Sequence, residues 1–196
     1  FADGMLTRMG VNVEYYAPEE GAELAERFQP NTKVLFMESP ASNTFEMSDV
    51  PAMVAAAKAQ GIVTMIDNTY ATPLFFKPLD HGVDMSIHAS TKYPAGHSDL
   101  VFGTVSANEA TWQQLRDAQI QTGICVQGDD AYQVLRGMRT MGIRLERHQS
   151  SALEIAQWLK DKPGVGRVMH PALPDHPGHD LWKRDCCGST GIFSFV

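Results

Sequence analysis

The chain has 196 residues, of which 43% are hydrophobic and 20% are charged, and its formal net charge is −7. This composition is typical of a globular protein with one sizeable core. The acidic balance, without any run of basic residues, argues against nucleic acid and anionic membrane surfaces as partners. No apolar segment is long enough to span a membrane.

Cysteine usage predicts a reducing compartment. The three cysteines are Cys125, Cys186 and Cys187, and none of them forms a C-x-x-C pair. An odd number of cysteines is poor material for a disulfide framework. We therefore expect a cytoplasmic protein in which Cys186 and Cys187 are partly buried and unreactive.

The first half of the sequence alternates between strand and helix patterns. Residues 1–10 resemble the later part of a helix closed by Gly10, and Ser48 or Asp49 can cap a later helix. The patterns predict, in chain order, a strand over residues 11–15, a helix over 21–28, a strand over 33–38, a helix that starts within 48–51 and continues over 52–60, and strands over 62–66 and 83–87. This order with short links is typical of βαβ units and predicts a parallel sheet.

The second half is richer in helix patterns. They predict, in chain order, a strand over residues 100–106, helices over 109–122, 129–140 and 143–160, a strand over 165–169, a loop over 171–177 and a strand over 191–196. Asn108 can cap the first of these helices. The chain ends in an apolar strand pattern, whereas the ends of a domain normally lie at its surface. We therefore expect an interior piece of a longer protein.

A carboxylate and an amine each follow a predicted buried strand. Asp67 comes directly after the strand over 62–66, and Lys92 follows the strand over 83–87 within a short turn. Ligands of open α/β sheets collect outside the carboxyl ends of the strands, so both side chains are expected at one edge. Taken singly, such residues are more often a turn-forming aspartate and a solvated lysine.

Together, these residue types match the needs of pyridoxal 5'-phosphate (PLP). The cofactor needs an amine that binds its aldehyde, a carboxylate that keeps its pyridine nitrogen protonated, and donors for its phosphate. Lys92 suits the first role, because a partly desolvated lysine loses its proton readily. Asp67 suits the second role, and the hydroxyls of Ser90 and Thr91 suit the third.

Three motifs resemble the Cys/Met-metabolism family of PLP-dependent enzymes, which contains the cystathionine lyases and synthases. The motifs are ESP at residues 38–40, IDNTYATP at 66–73 and STKYPAGHSD at 90–99. The resemblance puts the cofactor-bearing lysine at Lys92, the pyridinium partner at Asp67 and a phosphate-contacting threonine at Thr91. Ser90 is one step from a serine of many members. Ser42 stands where many have an asparagine near the cofactor's phenolic oxygen.

The resemblance covers nearly the whole chain and implies a fold-type I, aspartate aminotransferase-like α/β architecture. Residues 1–142 would belong to the large PLP-binding domain, whose mostly parallel sheet is flanked by helices. Residues 143–196 would form a linking helix and the start of a smaller C-terminal α+β domain. The resemblance also implies a homo-oligomer, a dimer of dimers. It further implies that the residues that stack on the cofactor ring and hold the substrate carboxylate lie outside this chain.

The family contains more than one reaction type, and the motifs point in two directions. Segments 135–148, 170–180 and 178–196 are most similar to bacterial members that cleave cystathionine by β-elimination, whereas YATP at 70–73 is closer to γ-acting members. The first similarity favours conversion of cystathionine to homocysteine, pyruvate and ammonia in methionine biosynthesis. A γ-synthase or γ-lyase and a noncatalytic α/β binding domain are the alternatives.

The segment DHPGHD at residues 175–180 is a candidate metal site. Pro177 and Gly178 separate His176 from His179, so the two imidazoles do not share a helical face, and no third ligand is indicated. We therefore predict no metal and interpret the segment as a solvated loop.

Overall fold

A four-stranded sheet forms the centre of the molecule in the computed structural model, which describes residues 1–196. Its strands are β1 (Val34–Glu38), β2 (Val63–Asp67), β3 (Met85–Ala89) and β4 (Gly103–Ala107). They lie in the order β1-β2-β3-β4. The first three are parallel, and β4 is antiparallel to β3. The predicted α/β class with a mostly parallel sheet is therefore confirmed.

Helices surround this sheet and occupy most of the second half of the chain. The α-helices are α1 (Val50–Ala59), α2 (Thr72–Phe75), α3 (Trp112–Thr122), α4 (Gly128–Met138), α5 (Met141–Lys160) and α6 (His179–Asp185). Tighter or wider helical turns cover Ala2–Leu6, Pro18–Arg27 and Pro78–His81. A second, two-stranded antiparallel sheet pairs β5 (Val168–Met169) with β6 (Ser194–Phe195). None of the helices combines the length and apolarity that crossing a bilayer requires.

Helix α1 packs against one face of the sheet. Asp49 caps it, because the Asp49 carboxylate accepts a hydrogen bond of 3.2 Å from the Ala52 N–H, and Pro51 occupies its first turn. The apolar residues of α1 then meet those of β1 and β2 in one core. This core consists of Leu24, Leu35, Met37, Val50, Met53, Val54, Ala57, Ile62, Ile66, Ala71, Phe76 and Val83.

The opposite face of the sheet is open at β1. Leu35 and Met37 point into the core, and the residues that alternate with them point the other way. On that side Val34 and Phe36 are 46% and 53% exposed. In the register of β1 and β2, Asp67 ends its strand on this open face. The carboxylate predicted to bind cofactor therefore stands at an accessible edge rather than in the core.

Several sequence-based expectations of local structure were wrong. Residues 11–15 form no strand and pair with neither of the edge strands β1 and β4. The strand predicted from residue 100 begins at Gly103, since Phe102 is held by hydrogen bonds to Thr91. The segment interpreted as a solvated loop buries His176, which is 7% exposed, and starts α6 at His179.

The long helical region breaks two residues earlier than expected. Helices α4 and α5 meet at Arg139 and Thr140, and Gly142 lies inside the first turn of α5. A glycine in this place costs helix stability but does not end the helix. The expected division into domains at residues 142 and 143 stays a prediction.

Candidate active site

The Asp67 carboxylate is oriented by the turn that follows β2. Its Oδ1 accepts a hydrogen bond of 2.8 Å from the backbone N–H of Thr69, the arrangement of an Asx turn. Its Oδ2 receives no hydrogen bond from the protein, and the side chain is half-buried. One oxygen therefore sets the direction of the group, and the other remains available to a ligand.

Thr69 connects this turn to the end of the next strand. Its Oγ1 accepts a hydrogen bond of 2.8 Å from the backbone N–H of Ala89. The Asn68 N–H also donates to the Ile87 carbonyl at 2.8 Å. These bonds extend the pairing of β2 and β3 past the end of the strands. They hold the turn after Asp67 against the residue at which the Lys92 turn begins.

Lys92 lies in a hydrogen-bonded turn that follows β3. The Lys92 N–H donates to the Ala89 carbonyl at 2.9 Å, and the Gly96 N–H donates to the Lys92 carbonyl at 2.8 Å. The side chain is exposed, and its amine has no carboxylate within ion-pair distance. The backbone of Lys92 is thus fixed while its amine stays free to react.

The three predicted hydroxyls have protein partners. Thr91 Oγ1 accepts from the Phe102 N–H at 2.9 Å and donates to the Phe102 carbonyl at 3.3 Å. Ser90 is 2% exposed, and its Oγ pairs with Thr104 Oγ1 at 2.9 Å.

Ser42 is exposed beyond the end of β1 and donates to the Glu38 carboxylate. The structure therefore brings Asp67, Thr91 and Lys92 to one sheet edge. It turns Ser90 toward β4, and it places Ser42 beside the neighbouring strand end. Contact of these residues with the cofactor stays a prediction.

Tyrosine and histidine side chains line the inner side of this edge. Burial raises the pKa values of Tyr70 and Tyr93, and the nearby Thr190 opposes the rise in both. Burial lowers the pKa of His88, and the charge of Asp67 opposes that shift. The hydroxyls of both tyrosines and both ring nitrogens of His88 lack hydrogen-bond partners. Added charge on this inner side is therefore unfavourable.

Sequence reasoning missed two residues that organise the site. Thr69 was detectable in principle, because an aspartate two residues before a threonine is a common turn pattern. Arg144 gave no local signal, since it reaches the Lys92 turn from α5, far along the chain, where its Nη2 lies 2.7 Å from the Tyr93 carbonyl.

Comparison with known proteins extends over the whole chain. Residues 1–196 match the family described as Cys/Met metabolism PLP-dependent enzyme. A Rhizobium johnstonii protein, provisionally named cystathionine beta-lyase, is 61% identical over 100% of this chain and 50% of its own length. Cystathionine beta-lyase MetC of Escherichia coli (strain K12) is 48% identical, again over 100% of this chain and 50% of its own length.

A solved structure gives the same architecture. Cystathionine gamma-lyase from Lactobacillus plantarum, in complex with L-serine, superposes with a TM-score of 0.95 at 29% identity. The match covers 98% of this chain and 51% of that chain. The chain belongs to the Cys/Met metabolism family of PLP-dependent enzymes, and the predicted fold-type I architecture is confirmed. It spans about half the length of the curated relatives it matches.

The donor set at the sheet edge fits PLP, the cofactor of this family. Lys92 offers an amine without an ion-pair partner, and Asp67 offers a carboxylate oxygen without a hydrogen bond. These two groups stand after adjacent parallel strands, β2 and β3. They match the two chemically distinct ends of the cofactor ring, the aldehyde side and the pyridine nitrogen.

Proposed function

We propose that this chain carries the lysine and aspartate of a PLP-dependent carbon–sulfur lyase that cleaves cystathionine by β-elimination. The products would be homocysteine, pyruvate and ammonia, as in methionine biosynthesis. One observation carries the proposal: a free amine, Lys92, and an oriented carboxylate, Asp67, follow adjacent parallel strands whose ends are tied together through Thr69. The names of the relatives at 61% and 48% identity support this reaction over others of the family.

Lys92 acts first as the attachment point of the cofactor and then as a base. When bound, PLP supplies a ring that withdraws electrons from the α-carbon of the amino acid. With PLP bound, the Lys92 amine would take the α-proton of the substrate as general base. No carboxylate pairs with this amine, so no ion pair has to break before it reacts.

Asp67 acts from the other side of the ring. Its carboxylate would keep the pyridine nitrogen of bound PLP protonated, since opposite charges at short range attract each other. The bond from the Thr69 N–H orients the group before the ligand binds, so little reorganisation is needed during the reaction. Thr91, which precedes Lys92 at this sheet edge, would offer its hydroxyl to the phosphate. Ser90 is turned toward β4 and Ser42 lies beside the neighbouring strand end, so these two are the weaker candidates.

The attachment of PLP is tested at Lys92. Borohydride reduction of the PLP-loaded protein, followed by peptide mapping, is expected to find the cofactor on Lys92. Lys92→Ala should abolish the visible absorbance without changing the fold, and Lys183→Ala, at an exposed lysine of α6, should leave it unchanged. If the wild-type protein takes up no cofactor, the chain is a noncatalytic α/β domain and the proposal fails.

Product analysis distinguishes the two reaction types. Pyruvate with homocysteine identifies β-elimination, whereas 2-oxobutyrate with cysteine identifies a γ-lyase. Two observations support the γ-acting alternative: YATP at residues 70–73 and the likeness to a cystathionine gamma-lyase structure. Release of 2-oxobutyrate as the main product would replace the β-lyase assignment and would leave the roles of Lys92 and Asp67 intact.

We further propose that the protein works as a homo-oligomer, a dimer of dimers, in the cytoplasm. Large apolar side chains that this chain leaves in solvent support the assembly, since single chains rarely expose so many together. The exposed apolar side chains of α4 are Tyr132, Leu135 and Met138, which are 65%, 54% and 50% exposed. Light scattering coupled to gel filtration tests the assembly, and a monomer at micromolar concentration would refute it.

A further inference from the structure

Helix α5 contacts the residue next to Lys92 with two side chains. The Arg144 guanidinium donates a hydrogen bond of 2.7 Å to the Tyr93 carbonyl. The His148 imidazole meets the Tyr93 ring edge to face, with the ring centroids 6.0 Å apart and the planes at 71°. Arg144 and His148 are four residues apart and so lie on one side of the helix. The same face of α5 therefore holds both the backbone and the ring of Tyr93.

The Arg144 guanidinium binds only neutral partners. Besides the Tyr93 carbonyl, it donates to the Gly137 carbonyl at 2.9 Å and to Thr140 Oγ1 at 3.2 Å. No carboxylate lies within ion-pair distance of it. Burial lowers its pKa. A charged donor binds a carbonyl more strongly than a neutral donor does, so these bonds fix the position of the turn.

Two glycines let the Lys92 turn and the Arg144 guanidinium approach each other this closely. A Cβ on Gly96 would lie 2.5 Å from Arg144 Nη1, and Gly96 also has a φ of +79°, which side chains rarely adopt. A Cβ on Gly137 of α4 would lie 2.2 Å from the Pro94 carbonyl oxygen. The turn that carries Lys92 is therefore packed without space between α4 and the guanidinium.

We propose that Arg144 is a positioning residue that, with His148, holds the Lys92 turn in the orientation that presents its amine to PLP. This role rests on the proposed function. Arg144 acts through the Tyr93 carbonyl and need not touch the cofactor. Its planar, multiple donors reach two carbonyls and a hydroxyl at once. A lysine ammonium cannot reproduce that geometry.

The test compares Arg144→Gln and Arg144→Lys with Arg147→Gln in the PLP-loaded protein. Arg147 is an exposed arginine of the same helix and serves as the matched control. Three quantities are measured: hydrogen exchange of the Gly96 amide, which bonds to the Lys92 carbonyl, the pH midpoint of the visible absorbance of the lysine-bound cofactor, and kcat with KM. Circular dichroism establishes that each variant is folded.

Both Arg144 variants should exchange the Gly96 amide about tenfold faster, since neither side chain can make the three simultaneous hydrogen bonds of the guanidinium. Both should shift the absorbance midpoint, and both should lower kcat while KM changes by less than about twofold, because the amine and not the substrate pocket is displaced. Arg147→Gln should match the wild type. Should Arg144→Gln fail to fold, Arg144→Lys, which keeps the charge and most of the volume, makes the same comparison.

Wild-type exchange and an unshifted midpoint in Arg144→Lys would overturn the proposed positioning role of the guanidinium, because a positive charge alone would then be enough to hold the Lys92 turn. A wild-type protein without cofactor on Lys92 would instead overturn the proposed function. In that case faster exchange at Gly96 would still establish that Arg144 holds the turn. The two failures are therefore distinguishable.

Discussion

Thr69 Oγ1 accepts a hydrogen bond of 2.8 Å from the backbone N–H of Ala89, and this contact joins the turns that follow two adjacent strands. The same threonine donates its own N–H to Asp67 Oδ1 at 2.8 Å. One residue therefore sets both the direction of the carboxylate and its distance from the start of the Lys92 turn.

Removal of the Thr69 hydroxyl should loosen this connection. Thr69→Val keeps the shape but leaves the half-buried Ala89 N–H without a partner, at a cost of about 1–3 kcal/mol in the free energy of unfolding. Urea titration measures this loss, and equilibrium dialysis is expected to show weaker PLP binding. Thr69→Ser, which retains the hydroxyl, is the control. Equal stability of the valine and serine variants would mean that the hydrogen bond from the Ala89 N–H to the Thr69 hydroxyl does not stabilise the protein.

Two glycines of neighbouring helices should respond to alanine in opposite directions. Gly137→Ala puts a Cβ 2.2 Å from the Pro94 carbonyl oxygen and 2.3 Å from the Ala95 carbonyl oxygen, so backbone must move and the protein should lose stability. Gly142→Ala meets nothing within 4 Å and should gain up to about 1 kcal/mol from helix propensity. Thermal unfolding of both variants checks the contrast. A stabilising Gly137→Ala would show that α4 does not pack tightly on the Lys92 turn.

His170 should make the protein sensitive to mild acid. It is 0% exposed, and burial lowers its pKa to about 4. The unfolded chain, with a histidine pKa of about 6.5, binds the proton more readily, so stability is complete above that pH and falls as the pH drops toward 4, by about 3 kcal/mol. Burial also lowers the pKa of His176, which adds to the same trend.

His170→Asn isolates this contribution. An asparagine oxygen can still accept the Ala172 N–H, which now bonds to His170 Nδ1 at 3.1 Å, but it does not titrate. Urea unfolding at pH 7 and pH 4.5 should show a smaller acid-induced loss in the variant than in the wild type. An identical loss in both proteins would assign the acid sensitivity to other groups.

Asp49 should stabilise the protein in two separable ways. It caps α1 through the Ala52 N–H, and it pairs with Arg184 of α6 at 2.8 Å. Asp49→Asn keeps a capping oxygen and loses the ion pair, whereas Asp49→Ala loses both.

The alanine variant should be the less stable by about 1 kcal/mol, the usual value of a cap, and the half-exposed ion pair should add less. Hydrogen bonding to Arg184 lowers the pKa of Asp49. Its contribution is therefore present above the unfolded carboxyl pKa and is lost as the pH falls below that value. Equal stability of the two variants at pH 7 would contradict the capping role.

Prediction from sequence succeeded where the determining signal was local. The strands β1, β2 and β3 were predicted because apolar runs ended at turn residues. A cap at Ser48 or Asp49 was predicted because a proline and an alanine-rich helix follow, and the structure places it at Asp49. It failed for residues 11–15, whose alternation is real but which pair with no strand. It also failed for His176, because its burial depends on packing against segments distant in the chain.

The order of the residues by itself determined which amine and which acid would follow neighbouring strand ends. A short stretch of chain is enough to show strand periodicity and the parallel sense of βαβ units. It therefore predicted that Asp67 and Lys92 lie at the same sheet edge. Only the tertiary structure decided that Thr69 joins their turns and that Arg144 grips Tyr93 from α5. Those contacts link residues 20 and 51 positions apart, and no local pattern encodes which distant donor will meet which carbonyl.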